Sequence, residues 1–249
     1  MSITFHKYQG AGNDFIILDK IKEPNLEFDA SAIVKKICDR HYGIGADGLV
    51  VLSKDKAQII WDFYNSDGSF AAMCGNAARC VGKHLFKEHK IEVAHIITGA
   101  GAVLVNKQGD LYSVLMPKYK DLKTIAENVH FVNTGVPHFV VKVHTDEDVF
   151  SYIKEYRWHT IAGEHGSNVS FYYANGDHYN AKTFERGVEG FTLACGTGAA
   201  ACGLIISHET KKTLIPIEMP GGKISVNVDG DNIYLIGNAE AICQGVFYV

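Results

Sequence analysis

The amino-acid sequence predicts an α/β (α+β) protein built from two similar domains. Three observations carry the prediction: an ordinary globular composition, an order of hairpins and helices that occurs twice, and residue matches about half a chain apart. The 249 residues allow one large domain or two of about 120 residues each. Hydrophobic residues are 47% and charged residues 21% of the chain, enough apolar surface for a core without disulfides or metals. The net charge of −4, with Lys and Arg scattered and adjacent only as pairs such as Lys35-Lys36 and Lys211-Lys212, argues against nucleic-acid or anionic-membrane partners.

No targeting segment is expected. Met1–Lys20 lacks a basic n-region, and its apolar run Phe15–Leu18 is too short for a signal sequence. The longest weakly polar stretch, Ala194–Ile206, falls short of the ~20 residues of a membrane span. The cysteines, Cys38, Cys74, Cys80, Cys195, Cys202 and Cys243, are therefore read as thiols of a cytoplasmic protein.

In the first half, Ile3–Tyr8 alternates as a strand, Gly10–Asn13 turns, and Phe15–Asp19 is a second strand. Asp29 is placed to cap a helix through Arg40, with Ile33, Val34, Ile37 and Cys38 on its apolar face. Strands follow at Leu49–Leu52 and Ile59–Tyr64, then the turn Asn65–Ser69 and a helix from Cys74 to Glu88. Ile91–Ile97, Ala102–Asn106 and Leu111–Met116 resume the strand pattern. The second half follows suit: a strand at Phe139–Val143, a helix beginning near Asp146 or Asp148, and strands at Val169–Tyr173 and Tyr179–Phe184. The turn Arg186–Gly190, a helix over Cys195–His208 and strands with an Asp229-Gly230-Asp231 hairpin end it.

Residue matches support the repeat. Cys195-Gly196 follows Cys74-Gly75 by 121 residues, and each is preceded at four places by a phenylalanine, Phe70 or Phe191. Ala77-Ala78 matches Ala200-Ala201, and Asn13–Ile17 resembles Pro137–Val141 at an offset of 124. The halves are expected to be residues 1–117, carrying Cys74, and 118–239, carrying Cys195, with the last strand, about 240–249, completing the first half.

Gly43–Gly48 reads GxGxxG, but it follows a helix and enters a strand, the reverse of a dinucleotide-binding turn. No P-loop, Cys-x-x-Cys or His-Glu-x-x-His is present, so spacing indicates no metal site. The sharpest features are Cys74-Gly75-Asn76 and Cys195-Gly196-Thr197-Gly198, each placing a thiol where a turn enters a helix. There the N–H groups and the positive dipole end lower a thiol's pKa from ~8.5 and bind carboxylates. A single such cysteine is ordinarily an inert packed thiol. Two at equivalent places suit a base and an acid on opposite faces of one α-carbon, with the backbone donors stabilising the enediolate. Cys80 and Cys202, two turns further in, read as core residues, and Cys38 and Cys243 as structural ones.

Six segments in order complete the pattern: Gly10–Phe15, Gly43–Gly48, Asn65–Ser69 leading to Met73–Asn76, Gly135–His138, Gly166–Val169, and Glu185–Gly187 leading to Thr192–Gly198. Over essentially the whole chain they resemble the diaminopimelate epimerase family. The resemblance implies two αβ halves related by pseudo-twofold symmetry. Each would have mixed, mainly antiparallel strands around a central helix, with the active site in the cleft between them. It implies cofactor-free interconversion of LL- and meso-diaminopimelate, in lysine and peptidoglycan precursor biosynthesis, by a cytoplasmic homodimer. Cys74 and Cys195 would be the acid/base thiols, and Gly75, Asn76, Gly196 and Thr197 the backbone holders of the reacting carboxylate. Asn65, Asn168 and Arg186 would bind the distal end, with Arg186 gripping its carboxylate bidentately. Asn13, Glu185 and the auxiliary His138 would line the reacting end. Their plainer readings are a turn asparagine, a surface carboxylate and a satisfied polar histidine.

The chain departs from the family pattern at Val136, where asparagine is common, and at Phe70 and Phe191, where acids are common. Ala77 replaces a usual glycine. These changes bear on substrate more than on reaction, and keep a racemase of another amino acid as the alternative. A thiol redox protein, or a binding protein with an inert cleft, are the readings from other classes.

Overall fold

A computed structural model describes residues 2–144 and 149–249. The chain divides into two compact units, Met1–Val114 with Asn238–Val249, and Leu115–Gly237.

The first unit contains β1 (Ser2–Gly10), β2 (Asn13–Asp19), β3 (Gly48–Asp55), β4 (Gln58–Asn65), β5 (Val93–Thr98), β6 (Gly101–Gln108), β7 (Leu111–Leu115) and the last strand of the chain, β17 (Glu240–Tyr248). They pair in the order β17-β1-β2-β3-β4-β5-β6-β7. Only β2–β3 and β4–β5 are parallel. A parallel pair needs a crossover, and here α1 (Ala30–Cys38) and α2 (Gly75–His89) supply them.

Alternation along the strands serves two cores. Phe15, Ile17, Val50 and Leu52 face a cluster built on α2, whereas Ile16, Leu18, Leu49 and Val51 meet Ile33, Val34 and Ile37 of α1. Helix α2 is sequestered from Gly75 through Gly82, and Gly82 is where it approaches the sheet closely. A Cβ there would lie 2.6 Å from Val105 and 3.0 Å from Tyr112. Asp29 caps α1 as its position predicts, accepting from the amides of Ser31 and Ala32, a contribution of about 1 kcal/mol. The helix stops at Cys38 rather than Arg40. Asp39 is extended, and its carboxylate accepts the amides of His41 and Tyr42, a local turn that competes with helix.

The second unit contains β8 (Lys120–Ala126), β9 (Val129–Asn133), β10 (Pro137–Lys142), β11 (Asn168–Asn175), β12 (His178–Glu185), the short β13 (Gly190–Phe191), β14 (Leu214–Met219), β15 (Gly222–Asp229) and β16 (Asn232–Gly237). The order is β8-β9-β10-β11-β12-β14-β15-β16, with β13 on β12. Again two pairs are parallel, β10–β11 and β12–β14, and α3 (Val149–Tyr156) and α4 (Gly196–Thr210) cross between them. The start expected for α3 near Asp146 or Asp148 lies outside the described residues. Helix α4 is apolar nearly all round and buried from Gly198 through Ser207, as befits a central helix. Its own close approach is at Gly203, where a Cβ would lie 2.5 Å from Val226.

The two units thus share one sequence of elements, each a mixed, mainly antiparallel sheet around a central helix. Strands β8 and β9 have no counterpart in the sequence reading, because β8 is exposed along most of its length and shows no alternation. Cys38, Cys80 and Cys202 are buried as expected, but Cys243 lies exposed on β17, a strand with little burial on either face. Among the described residues no helix is long and apolar enough to cross a membrane.

Candidate active site

In the first unit, register brings the start of β2, the start of β3 and the end of β4 together. Phe15 pairs with Gly48, and Gly48 with Asn65. Helix α2 opens at Cys74, whose extended backbone (φ −142°, ψ 122°) makes it the N-cap. The Cys74 side chain makes no capping hydrogen bond, and the first helical bond runs from the Ala78 amide to the Cys74 carbonyl at 2.9 Å. The helix therefore opens at Gly75, with its positive dipole end at the Cys74 cap.

Asn76 is buried and ties this opening to β2. Its amide donates to Asn13 Oδ1 at 3.1 Å, and Asn13 donates to Asp47 Oδ2 at 2.6 Å. Behind them Arg40 bridges Asp14 and Asp47, and Lys7 also pairs with Asp14. Asp14 is buried, and these cations hold its carboxyl at about 2 against the opposing pull of desolvation. The GxGxxG loop is part of this scaffold: Gly45 and Ala46 amides close onto carbonyls at the end of α1. Asn65 sits in its turn, donating to Ser69 Oγ at 2.9 Å.

Arg79, which sequence reasoning did not single out, is fully buried one turn below Asn76. Its Nη2 donates to Asn76 Oδ1 at 2.9 Å and its Nε to the Asn238 carbonyl at 3.3 Å, while Nη1 is buried with no hydrogen-bond partner. Burial lowers its pKa, and the charges of Cys80 and Cys74 act in the opposite direction.

The second unit gathers Asn168, His138, Thr197, Glu185, Arg186 and Cys195. Cys195 caps α4 (φ −115°, ψ 109°), again with no side-chain cap bond, and the Ala199 amide donates to its carbonyl at 2.9 Å. Cys195 Sγ lies 3.4 Å from Thr197 Oγ1, and Thr197 Oγ1 lies 2.9 Å from His138 Nε2. His138 Nδ1 continues to Ser170 Oγ at 2.9 Å, and Ser170 to Thr183 Oγ1 at 2.9 Å. The Thr197 hydroxyl makes these contacts, and its carbonyl accepts from the Thr134 hydroxyl at 2.8 Å. Ser170 and Thr183 escaped notice because a hydroxyl on a strand carries no motif. The chain of hydroxyls fits closely under α4: a Cβ on Gly198 would lie 2.2 Å from Thr183 Oγ1.

His138 is fully buried, and desolvation, with the Arg186 charge second, pushes its pKa down to about 3. The imidazole is thus neutral in the fold but gains a proton below ~6.5 when unfolded. The unfolded state then binds more protons, so stability should fall as pH drops from about 6.5 towards 3. His138→Asn is expected to flatten that limb above pH ~4, where ordinary carboxylates have not yet titrated. Urea denaturation across this window checks it; an unchanged slope would exclude a neutral buried His138.

Glu185 accepts from the Thr192 hydroxyl and from the Cys195 thiol, yet burial dominates and raises its pKa. It is no plain surface carboxylate. Asn168 accepts the Arg186 amide at 2.9 Å and lies 3.3 Å from His138 Nε2 through its own amide nitrogen. The Arg186 guanidinium donates to the Gly166 carbonyl at 3.2 Å. Burial lowers its pKa and Arg157 lowers it further, while Arg157 is itself taken by Glu189. Phe70 and Phe191 are both partly exposed, packing edge-on against Tyr64 and Phe184.

Known proteins resemble the chain over both units. The family model described as diaminopimelate epimerase matches residues 5–119 and 130–242. Diaminopimelate epimerase of Hydrogenobaculum sp. (strain Y04AAS1) is 35% identical, covering 96% of each chain, and that of Helicobacter pylori (strain HPAG1) is 35% identical, covering 98% of this chain and 96% of the other. Among solved structures, a phenazine biosynthesis protein of the PhzF family from Enterococcus faecalis shares the fold at a TM-score of 0.75, 16% identity and full coverage of both chains. A hydroxyproline epimerase from Agrobacterium vitis shares it at a TM-score of 0.68 and 13% identity, covering 99% of this chain and 91% of that one. With both repeated units matched and relatives aligned from end to end, this chain belongs to the diaminopimelate epimerase family.

Proposed function

We propose that the chain is a diaminopimelate epimerase, an isomerase that interconverts LL- and meso-2,6-diaminopimelate by two-thiol acid/base catalysis without a cofactor. The observation that carries the reading is the equivalence of the two central helices: each has fifteen residues and opens on a Cys-Gly N-cap. In this reaction one thiolate takes the α-proton from one face of the carbon and the other thiol returns a proton to the opposite face. The centre inverts, and the two sulfurs end with their protonation states exchanged. Amides at the openings of α2 and α4 hold the α-carboxylate and stabilise the enediolate charge.

Asn13 and Asn76 position the reacting end beside Cys74. Glu185 exchanges a proton with Cys195 through the hydrogen bond they share, and neutral His138 orients Thr197 against the same sulfur. The distal end falls to Asn65, Asn168 and Arg186. Arg186 suits a carboxylate: it is partly desolvated and its charged neighbour is another cation, so an incoming anion relieves both costs. The same reading has a homodimer working in the cytoplasm on a free amino acid, with no nucleic-acid or membrane partner.

Incubation in deuterium oxide tests this directly. Diaminopimelate should gain deuterium at the inverted α-carbon, and lysine, which lacks the distal carboxylate, should not. No exchange into diaminopimelate would reduce the chain to a binding or redox protein. Equal exchange into lysine would favour the broader racemase.

A further inference from the structure

A second cluster lies in the first unit at the far end of α2 from Cys74. Asp19 ends β2, and His84 and His89 lie on the last turns of α2. One ligand atom from each falls within 4.8 Å of the other two. Both imidazoles point Nε2 at the same carboxylate oxygen: His84 Nε2 is 2.9 Å and His89 Nε2 2.7 Å from Asp19 Oδ2. The group is sequestered, with His84 fully buried, Asp19 nearly so, and the His89 side chain 15% exposed. Sequence spacing concealed it, since the histidines are five apart and the carboxylate is 65 residues upstream.

We propose that Asp19, His84 and His89 form a binding site for one divalent transition-metal ion of the zinc type, separate from the cysteine chemistry. Two imidazole nitrogens and one carboxylate oxygen are a ligand set that zinc accepts, with the remaining position open to water. The two observed N···O separations lie a few tenths of an ångström inside the ~3.3 Å edge of a tetrahedron with arms of about 2.0–2.1 Å. Admitting the ion lengthens both of these separations by a few tenths of an ångström.

The surroundings have the form of an outer shell. Asp19 Oδ1 is occupied by the amides of Ile21 and Lys22, at 3.0 and 3.3 Å, which leaves Oδ2 to face the histidines. His84 Nδ1 meets the Tyr8 hydroxyl at 3.3 Å, a bond that orients the ring and frees Nε2 when Nδ1 carries the proton. The His6 ring packs edge-on against His84, with centroids 4.7 Å apart, and walls the site. The ion would staple the end of β2 to the last turns of α2, the helix whose other end carries Cys74.

The test uses the full chain, stripped of metal by a chelator, with exposed thiols alkylated so that sulfur does not compete. Zinc(II) is titrated by calorimetry and cobalt(II) by visible absorption. The expected result is saturation at about one ion per chain, with ligand-field bands but no thiolate charge-transfer band. His89→Gln, at the partly exposed helix end, should weaken binding by at least about tenfold, and Tyr8→Phe by roughly tenfold through the outer shell. Zinc should raise the melting temperature of the parent chain and not of His89→Gln. No saturable binding would leave the trio a purely hydrogen-bonded one and overturn the proposal. So would equal affinity in His89→Gln. Neither outcome touches the deuterium-exchange result, so the two readings stand or fall separately.

Discussion

Cys74→Ser and Cys195→Ser are each expected to lower turnover by about a thousandfold, within the ~10²–10⁴-fold range of a positioned proton-transfer group. Serine keeps the size of the side chain and its place at the helix N-cap, where it is a good capping residue, so folding should be unaffected. What changes is acidity. A hydroxyl remains protonated where a thiol at a helix start is partly ionised, and it makes a poor base. The buried Cys80 and Cys202 supply the contrast, because burial pushes both thiols up to about 12 and removes them from chemistry at neutral pH. Steady-state epimerisation in both directions, with circular dichroism as the check on folding, measures the effect. Full activity in either serine variant would defeat the two-thiol scheme whatever the substrate.

Arg79→Met should raise the pKa of Cys74 and so depress activity near neutrality. The guanidinium donates to the Asn76 side chain, two residues from Cys74, and a nearby cation favours a thiolate. Arg79 is suited to this influence because it is buried and its Nη1 has no hydrogen-bond partner, so its charge is poorly screened. The pH dependence of Cys74 alkylation, followed on its own peptide by mass spectrometry, gives the midpoint. Arg79→Lys retains the charge and should restore most of it. An unmoved midpoint in Arg79→Met would mean that the guanidinium only props Asn76.

Cys195 has a different setting. The position on α4 that matches Arg79 by the 121-residue offset is Ala200, and a carboxylate with a raised pKa lies beside that thiol. The two half-sites are alike in backbone and unlike in electrostatics.

Much of this was legible in the residue order alone. The alternation of Phe15–Leu18 and Leu49–Leu52, the Asp29 cap, the Cys-Gly helix openings and the repeat at an offset of 121 are all encoded within a few residues of one another. Local propensity and side-chain periodicity act at that range. The small-residue run of α4 likewise announces a helix packed on all sides. By contrast, the Cys195–Thr197–His138–Ser170–Thr183 chain, the buried guanidinium of Arg79 and the Asp19–His84–His89 trio depend on partners 13 to 159 residues apart, apart from the Cys195–Thr197 and Arg79–Asn76 steps. Strand register and the close approach at Gly82, Gly198 and Gly203 select those partners. The sequence by itself determined two like domains with a thiol at the head of each central helix. Only tertiary packing, by desolvating His138, Glu185 and Arg79 to different degrees, decided which charges surround each thiol.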